Sequence, residues 1–152
     1  MNDDLPYIAY GSNLQAAQMR ARCPDHRALG TAVILDHRLR FVGFSARRGG
    51  AIADIVPATS RQVLGMLYQL TADDWSELDR CEGPKYERRT VTVSPLGRTG
   101  PLLAIAYRRR DVLETERAPS MPYLEAIIGG CRECGFPLEY INMVRAAVPT
   151  PS

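Results

Sequence analysis

The hydrophobic pattern along this chain is that of short strands and short helices in irregular order. An apolar run, Tyr7-Ile8-Ala9-Tyr10, leads straight into Gly11-Ser12-Asn13, and Leu14 then starts a pattern that predicts a short helix over 14–22, ended by Pro24. Leu14, Ala17 and Met19 or Ala21 give that helix a modest inner face. Residues 29–35 and 38–44 predict two strands, the second alternating Leu39, Phe41 and Gly43 against Arg38, Arg40 and Val42. A basic, glycine-ended loop over 45–50 precedes a small-residue strand over 51–56, and 62–70 predicts a further strand. Thr71-Ala72-Asp73-Asp74 has the form of a capping box and opens a helix bearing Trp75 and Leu78, which Gly83-Pro84 stops. Strands follow over 86–94 and 102–108, then helices over 123–134, opened by Ser120-Met121-Pro122, and over 138–147.

Roughly six strands at hairpin-like spacing, with helices inserted between or after them, exclude a regular βαβ alternation. The expectation is an α+β fold in one domain over residues 1–152. Periodicity carries no information on whether the sheet closes. Hydrophobic residues at 45% and charged residues at 24% exclude a disordered or low-complexity chain. The net charge of +2 decides little, because the basic residues, all arginine except Lys85, are interleaved with acids. Arg108-Arg109-Arg110 is the one dense run and reads as a solvated strand end, so no nucleic-acid partner is expected. No apolar run reaches the length of a membrane span and Met1-Asn2-Asp3-Asp4 lacks the basic start of a secretory signal, which points to a cytoplasmic protein without a membrane partner. Cys131-x-x-Cys134 lies inside an apolar helical pattern with His26 and His37 far off in sequence, so free helix thiols and no metal are expected.

Two segments carry candidate chemistry. At Gly11-Ser12-Asn13 a strand gives way to a helix, where successive N–H groups point outward together and suit an anion or an oxygen gaining charge. Gly11 suits a backbone conformation closed to residues with a Cβ, and Ser12 or Asn13 suits the helix cap. The second segment is Leu78-Asp79-Arg80-Cys81-Glu82-Gly83-Pro84, at the end of the capped helix.

Together with Tyr10-Gly11-Ser12-Asn13, that segment resembles the gamma-glutamylcyclotransferase family, of AIG2-like fold. The likeness continues in Gly65-Met66-Leu67-Tyr68-Gln69-Leu70 and in Gly135-Phe136-Pro137-Leu138-Glu139-Tyr140, and it covers nearly the whole chain. It implies a small, mixed, closed or nearly closed β-barrel with flanking helices and a pocket at one mouth. The implied reaction needs no cofactor: the α-amine of a small-molecule gamma-glutamyl substrate attacks its own γ-carbonyl, releasing 5-oxoproline and an amine or amino acid. By the resemblance Glu82 is the catalytic acid and base, Tyr10, Gly11, Ser12 and Asn13 bind substrate, and Tyr123 reaches it from the start of the late helix. Glu82 is then expected in a pocket lined by groups such as Ile8, Ile52 or Ile55, with burial raising its pKa. Asp79, three residues earlier, is expected to face solvent, and Tyr86 and Tyr68 are weaker candidates. A non-catalytic small-molecule binding protein of the same fold is the alternative, and a homodimer is left open. A Cys or Ser amide hydrolase is disfavoured, because no Cys-His pairing is visible and Ser12 lacks an evident base. The leaving group is not legible.

Overall fold

The computed structural model describes residues 4–150. Its strands are β1 (Tyr7–Ala9), β2 (Arg27–Ser45), β3 (Gly50–Gln69), β4 (Tyr86–Pro95) and β5 (Leu102–Arg109). Its helices are α1 (Ala16–Arg22), α2 (Ala72–Glu82), α3 (Met121–Glu133) and α4 (Leu138–Ala146), with a single 3-10 turn at Ser12–Leu14. The strands form a closed barrel in the order β1-β3-β2-β4-β5. Every pairing is antiparallel except the closing one, where Tyr7 of β1 lies parallel to Ile105 of β5. This is the α+β barrel with flanking helices that the family resemblance implied.

Two expected breaks are absent. The strands expected over 29–35 and 38–44 are one strand, β2, and those over 51–56 and 62–70 are one strand, β3. The polar residues between each pair mark a bend. Leu35 pairs with Gln62 but His37 pairs with Pro57, so the ladder skips residues on β3. Asp36 and Ser60 both take positive φ there, 57° and 65°, and the Asp36 carboxylate accepts the Ser60 N–H at 2.9 Å. A side-chain acceptor makes up for the ladder bond lost at the bulge.

The core fills the barrel with Ile8, Ile34, Phe41, Ile55, Val63 and Val93, all fully buried. Gly65 makes closure possible: a Cβ there would lie 2.5 Å from the Ala9 carbonyl oxygen and 2.7 Å from the Ile8 side chain. α3 closes on the loop after β1 in the same way, since a Cβ at Gly130 would come within 2.5 Å of the Leu14 Cβ. In α1 only Met19 is buried and the expected inner residues Ala17 and Ala21 face solvent. That helix is short and lies flat on the surface, with its Ala16 N–H capped by Glu133 of α3 at 3.0 Å.

The alternation on β2 hid a buried cation. Arg40 is only 2% exposed and pairs with Asp54 of β3, 0% exposed, at 2.8 Å. Its remaining donors reach the carbonyls of Asp111, Val112 and Glu114. Asp54 also accepts the Arg109 N–H at 2.9 Å. Of the run 108–110 only Arg110 is exposed: Arg108 and Arg109 are buried, and Arg109 pairs with Glu114 at 2.8 Å. Removing one partner of such a pair leaves an unpaired charge in the interior. Asp54→Ala is therefore expected to cost about 3–5 kcal/mol, read as a fall in the urea midpoint at unchanged slope.

Candidate active site

α2 is built to deliver its last residue to a fixed place. Thr71 Oγ1 accepts the Asp74 N–H at 3.1 Å while the Asp74 carboxylate accepts the Thr71 N–H at 3.3 Å, which completes the capping box read from the sequence. Trp75 and Leu78 anchor the helix in the core, and Arg88 stacks its guanidinium 4.5 Å from the Trp75 ring centre. Gly83 ends the helix at φ 81°, a left-handed conformation that favours glycine, and donates its N–H to Asp79. Glu82 is thereby turned into a cleft of about 160 Å³.

The other wall of that cleft is the segment after β1. Tyr10, Gly11, Ser12 and Asn13 all line it, as do Tyr86 at the start of β4, Tyr107 of β5, Tyr123 of α3, and Ile52 and Ala53 of β3. Every sequence-assigned site residue therefore borders one cavity with Glu82. Of the apolar neighbours expected around the carboxylate only Ile52 lines the cleft; Ile8 and Ile55 lie in the barrel core. Tyrosines take their place. Tyr68 stands behind the wall, stacked on Tyr7 with its hydroxyl donating to the Asn13 carbonyl at 3.3 Å.

The backbone N–H groups of Gly11, Ser12 and Asn13 donate to no acceptor among the described residues, whereas the next two, Leu14 and Gln15, close the 3-10 turn onto the Gly11 and Ser12 carbonyls. Three adjacent free donors on a cavity wall can receive an anion. The reason for the glycine differs from the one expected. Gly11 has φ −115°, so no left-handed conformation calls for it. A Cβ there would instead project toward Ala53 at 3.5 Å and the Tyr123 hydroxyl at 3.9 Å, filling the cleft. Ser12 and Asn13 cap nothing. Their side chains lock the loop instead: Asn13 bridges the Tyr7 hydroxyl, Gln18 and Arg22, and Ser12 accepts from Gln18 and Arg48.

Ala53 is held from both sides. Its N–H donates to the Tyr123 hydroxyl at 3.0 Å and its carbonyl accepts from the Tyr86 hydroxyl. The small-residue strand thus shows the cleft a methyl group and two satisfied peptide groups. Tyr107 donates to Asp79 at 2.6 Å, and Arg88 pairs with the same carboxylate. Asp79 is half-exposed but engaged in positioning Tyr107, where a simple solvent-facing role was expected. Burial pushes its carboxyl up, and the hydrogen bonds from Arg88 and Tyr107 outweigh that and leave it below the usual range.

Glu82 keeps part of its surface open to the cleft, and no described residue hydrogen-bonds its carboxylate. Burial raises its pKa from the ordinary 4.5 to about 7, against the pull of Arg22, Arg109 and Arg48. Desolvation of the charged form is the larger effect. Burial also raises the Tyr123 hydroxyl, to about 12, and moves Tyr7, Tyr10, Tyr86 and Tyr107 upward, so these phenols stay neutral near pH 7. The cleft can therefore exchange a proton near neutral pH through Glu82. Among the described residues no cluster of His, Cys, Asp and Glu is arranged to hold a metal. Cys131 is buried, and the Cys134 thiol points to the Leu14 carbonyl at 3.8 Å.

Sequence reasoning missed Arg22, Arg47 and Arg48 as cleft residues, together with Tyr7 and Tyr107. The basic loop after β2 was the one signal available for two of them, and it carried no chemistry without its neighbours.

Residues 62–144 match the AIG2-like family. Relatives named gamma-glutamylcyclotransferase from Bos taurus and Mus musculus are 30% and 32% identical over 151 residues, which covers 94% of this chain and 78% of each of theirs. A solved structure named gamma-glutamyl cyclotransferase superposes with a TM-score of 0.87 at 26% identity, over 97% of this chain and 90% of that one.

The open donors make a direct expectation. Formate soaked into crystals should seat a carboxylate against the N–H groups of Gly11 to Asn13, within hydrogen-bond distance of at least two of them. Gly11→Val should remove that density while shifting the melting temperature little, because it alters a cavity wall and not the core.

Proposed function

Because the chain belongs to the gamma-glutamylcyclotransferase family and cyclises a gamma-glutamyl group to 5-oxoproline, we propose that Glu82 carries the proton between the two nitrogens of that reaction. The α-ammonium first releases a proton to solvent, and the neutral amine attacks the γ-carbonyl carbon. A C–N bond forms, the carbonyl oxygen takes up negative charge, the attacking nitrogen sheds its second proton, and the bond to the leaving nitrogen breaks as that nitrogen gains one. Glu82 as a carboxylate takes the proton shed by the attacking nitrogen and returns it to the leaving nitrogen, and the freed amine regains from solvent the proton the ammonium gave up, so no net proton is consumed. A group with a pKa of about 7 is suited to both steps, since neither of its forms is scarce at neutral pH. The observation that carries the reading is the placing of this desolvated carboxylate opposite three backbone donors without acceptors in one small cleft.

Gly11, Ser12 and Asn13 receive either the oxyanion or the α-carboxylate of the substrate, and losing one such donor typically costs about 3 kcal/mol in the transition state. Tyr10 and Tyr123, held by hydrogen bonds to Tyr107 and Ala53, shape the cleft and exclude water that would hydrolyse the same carbonyl. In this reading the whole chain acts as one domain on a small gamma-glutamyl compound in the cytosol. No described helix is long and apolar enough to cross a membrane.

Glu82→Gln keeps the shape of the side chain and removes its proton. It is expected to lower kcat for 5-oxoproline release by about two to four orders of magnitude with KM little changed. Wild-type turnover by this variant would refute the assignment of Glu82.

The raised pKa also has a signed effect on stability. A carboxyl whose folded pKa is above its unfolded value favours folding most below pH 4.5, and that advantage is lost as pH rises through about 7. Glu82→Gln should therefore match the wild type in melting temperature near pH 4 and exceed it near pH 8, checked by calorimetry across that range.

A further inference from the structure

The cleft holds more positive charge than the glutamyl end of a substrate needs. Arg22, Arg47 and Arg48 line it, with Glu82 as its carboxylate. Two of these guanidines are engaged with the loop that carries the three free donors. Arg22 reaches the Asn13 side-chain oxygen at 3.1 Å. Arg48 binds Ser12 Oγ at 3.2 Å and Gln18 Oε1 at 2.8 Å, with its guanidinium 5.1 Å from the Tyr123 ring centre.

Arg47 is different. It is exposed at the rim and makes no ion pair or hydrogen bond with a described residue. Its charge repels the neighbouring Arg48. The turn that carries it is stiff: Gly49 donates to the Ser45 carbonyl at 2.8 Å, the Arg48 N–H to Ser45 Oγ at 3.2 Å, and Ser120 Oγ to the Arg48 carbonyl. A cation that makes no ion pair, carried on a held turn at the rim of a reaction cleft, selects by charge.

The charges of the substrate say what it selects. In any gamma-glutamyl compound the α-carboxylate and α-ammonium cancel, so the charge that varies is on the leaving group. An amino acid brings a carboxylate to the rim, an alkylamine brings nothing, and a diamine brings a second cation. We propose that Arg47 selects leaving groups that bear a carboxylate and turns away cationic amines, an inference that rests on the cyclotransferase reading of the cleft. Arg47 is then the specificity residue for the far end of the substrate, and the near end belongs to the loop after β1.

The test compares kcat/KM for 5-oxoproline release from gamma-glutamyl-alanine, from gamma-glutamyl-ethylamide, which lacks only the carboxylate, and from gamma-glutamyl-putrescine. The wild type is expected to favour the alanine compound over the ethylamide by about five- to ten-fold, with the putrescine compound lower still and the preference shrinking in high salt. Arg47→Met should lose most of the ratio between the first two, and Arg47→Glu should shift preference toward the putrescine compound. A melting curve for each variant separates a charge effect from misfolding. If Arg47→Met lowers all three rates equally, or the wild type does not distinguish alanine from ethylamide, the inference is overturned and the cyclotransferase reading stands. If the wild type releases 5-oxoproline from none of the three, the cyclotransferase reading falls and the inference falls with it.

Discussion

The mouth of this barrel hangs on one desolvated ion pair. Arg40 and Asp54 face each other across β2 and β3, and both are almost completely buried. By itself such a pair contributes little net stability, because taking two charges out of water costs about what their attraction returns. Its value is geometric. The remaining Arg40 donors fix the carbonyls of Asp111, Val112 and Glu114, and Asp54 fixes the Arg109 N–H. β2, β3, β5 and the segment leading to α3 can satisfy those groups in one arrangement. That arrangement sets Ala53, next to Asp54, between the Tyr86 and Tyr123 hydroxyls, and so sets the width of the cleft.

Within the cleft two electrostatic effects oppose each other at Glu82. Three arginine charges favour its ionised form and burial favours its neutral form, and burial is the larger effect. The arginines fall short because Arg22 and Arg48 direct their donors at Asn13, Ser12 and Gln18, and Arg109 directs its own at Glu114. A carboxylate that none of them touches gets their field without their hydrogen bonds. Had Arg22 or Arg48 reached Glu82 directly, the group would titrate with ordinary carboxylates and would be a poor acid at neutral pH.

Local chemistry was legible in the sequence wherever neighbours in the chain decide it. The capping box at Thr71, the glycine stop at Gly83 and the turn at Gly11 were readable because each depends on residues within one helical turn. Closure of the barrel was implied by family resemblance alone, since no periodicity reports that Tyr7 will meet Ile105. The bend at Asp36 and Ser60 looked like two strand ends, because the hydrogen bond that carries the ladder across it joins positions 24 apart. Arg40 sat at a place where alternation predicts solvent, and Arg108 and Arg109 in a charge run that reads as a solvated strand end. The burial of Arg40 and Arg109 depends on acceptors from β3 and from the segment after β5, which no local window contains. For the same reason the arginines of the cleft were invisible as site residues, while Glu82 was visible through its motif.

The closing contacts of the barrel also bear on the order of assembly. Tyr10 donates its hydroxyl to the Tyr107 carbonyl across 97 positions of sequence, and the β1–β5 pairing spans a similar distance. Loops this long form late, because their closure entropy must be met before the contact returns anything. During synthesis the β2–β3 hairpin can pair as soon as it leaves the ribosome, but β1 has one of its two partner strands missing until β5 has emerged. Until then its apolar residues and open edge are available to chaperones or to a neighbouring nascent chain. The cleft comes into being later still, when α3 brings in Tyr123, so truncated chains carry Glu82 and its flanking residues without the cavity they line.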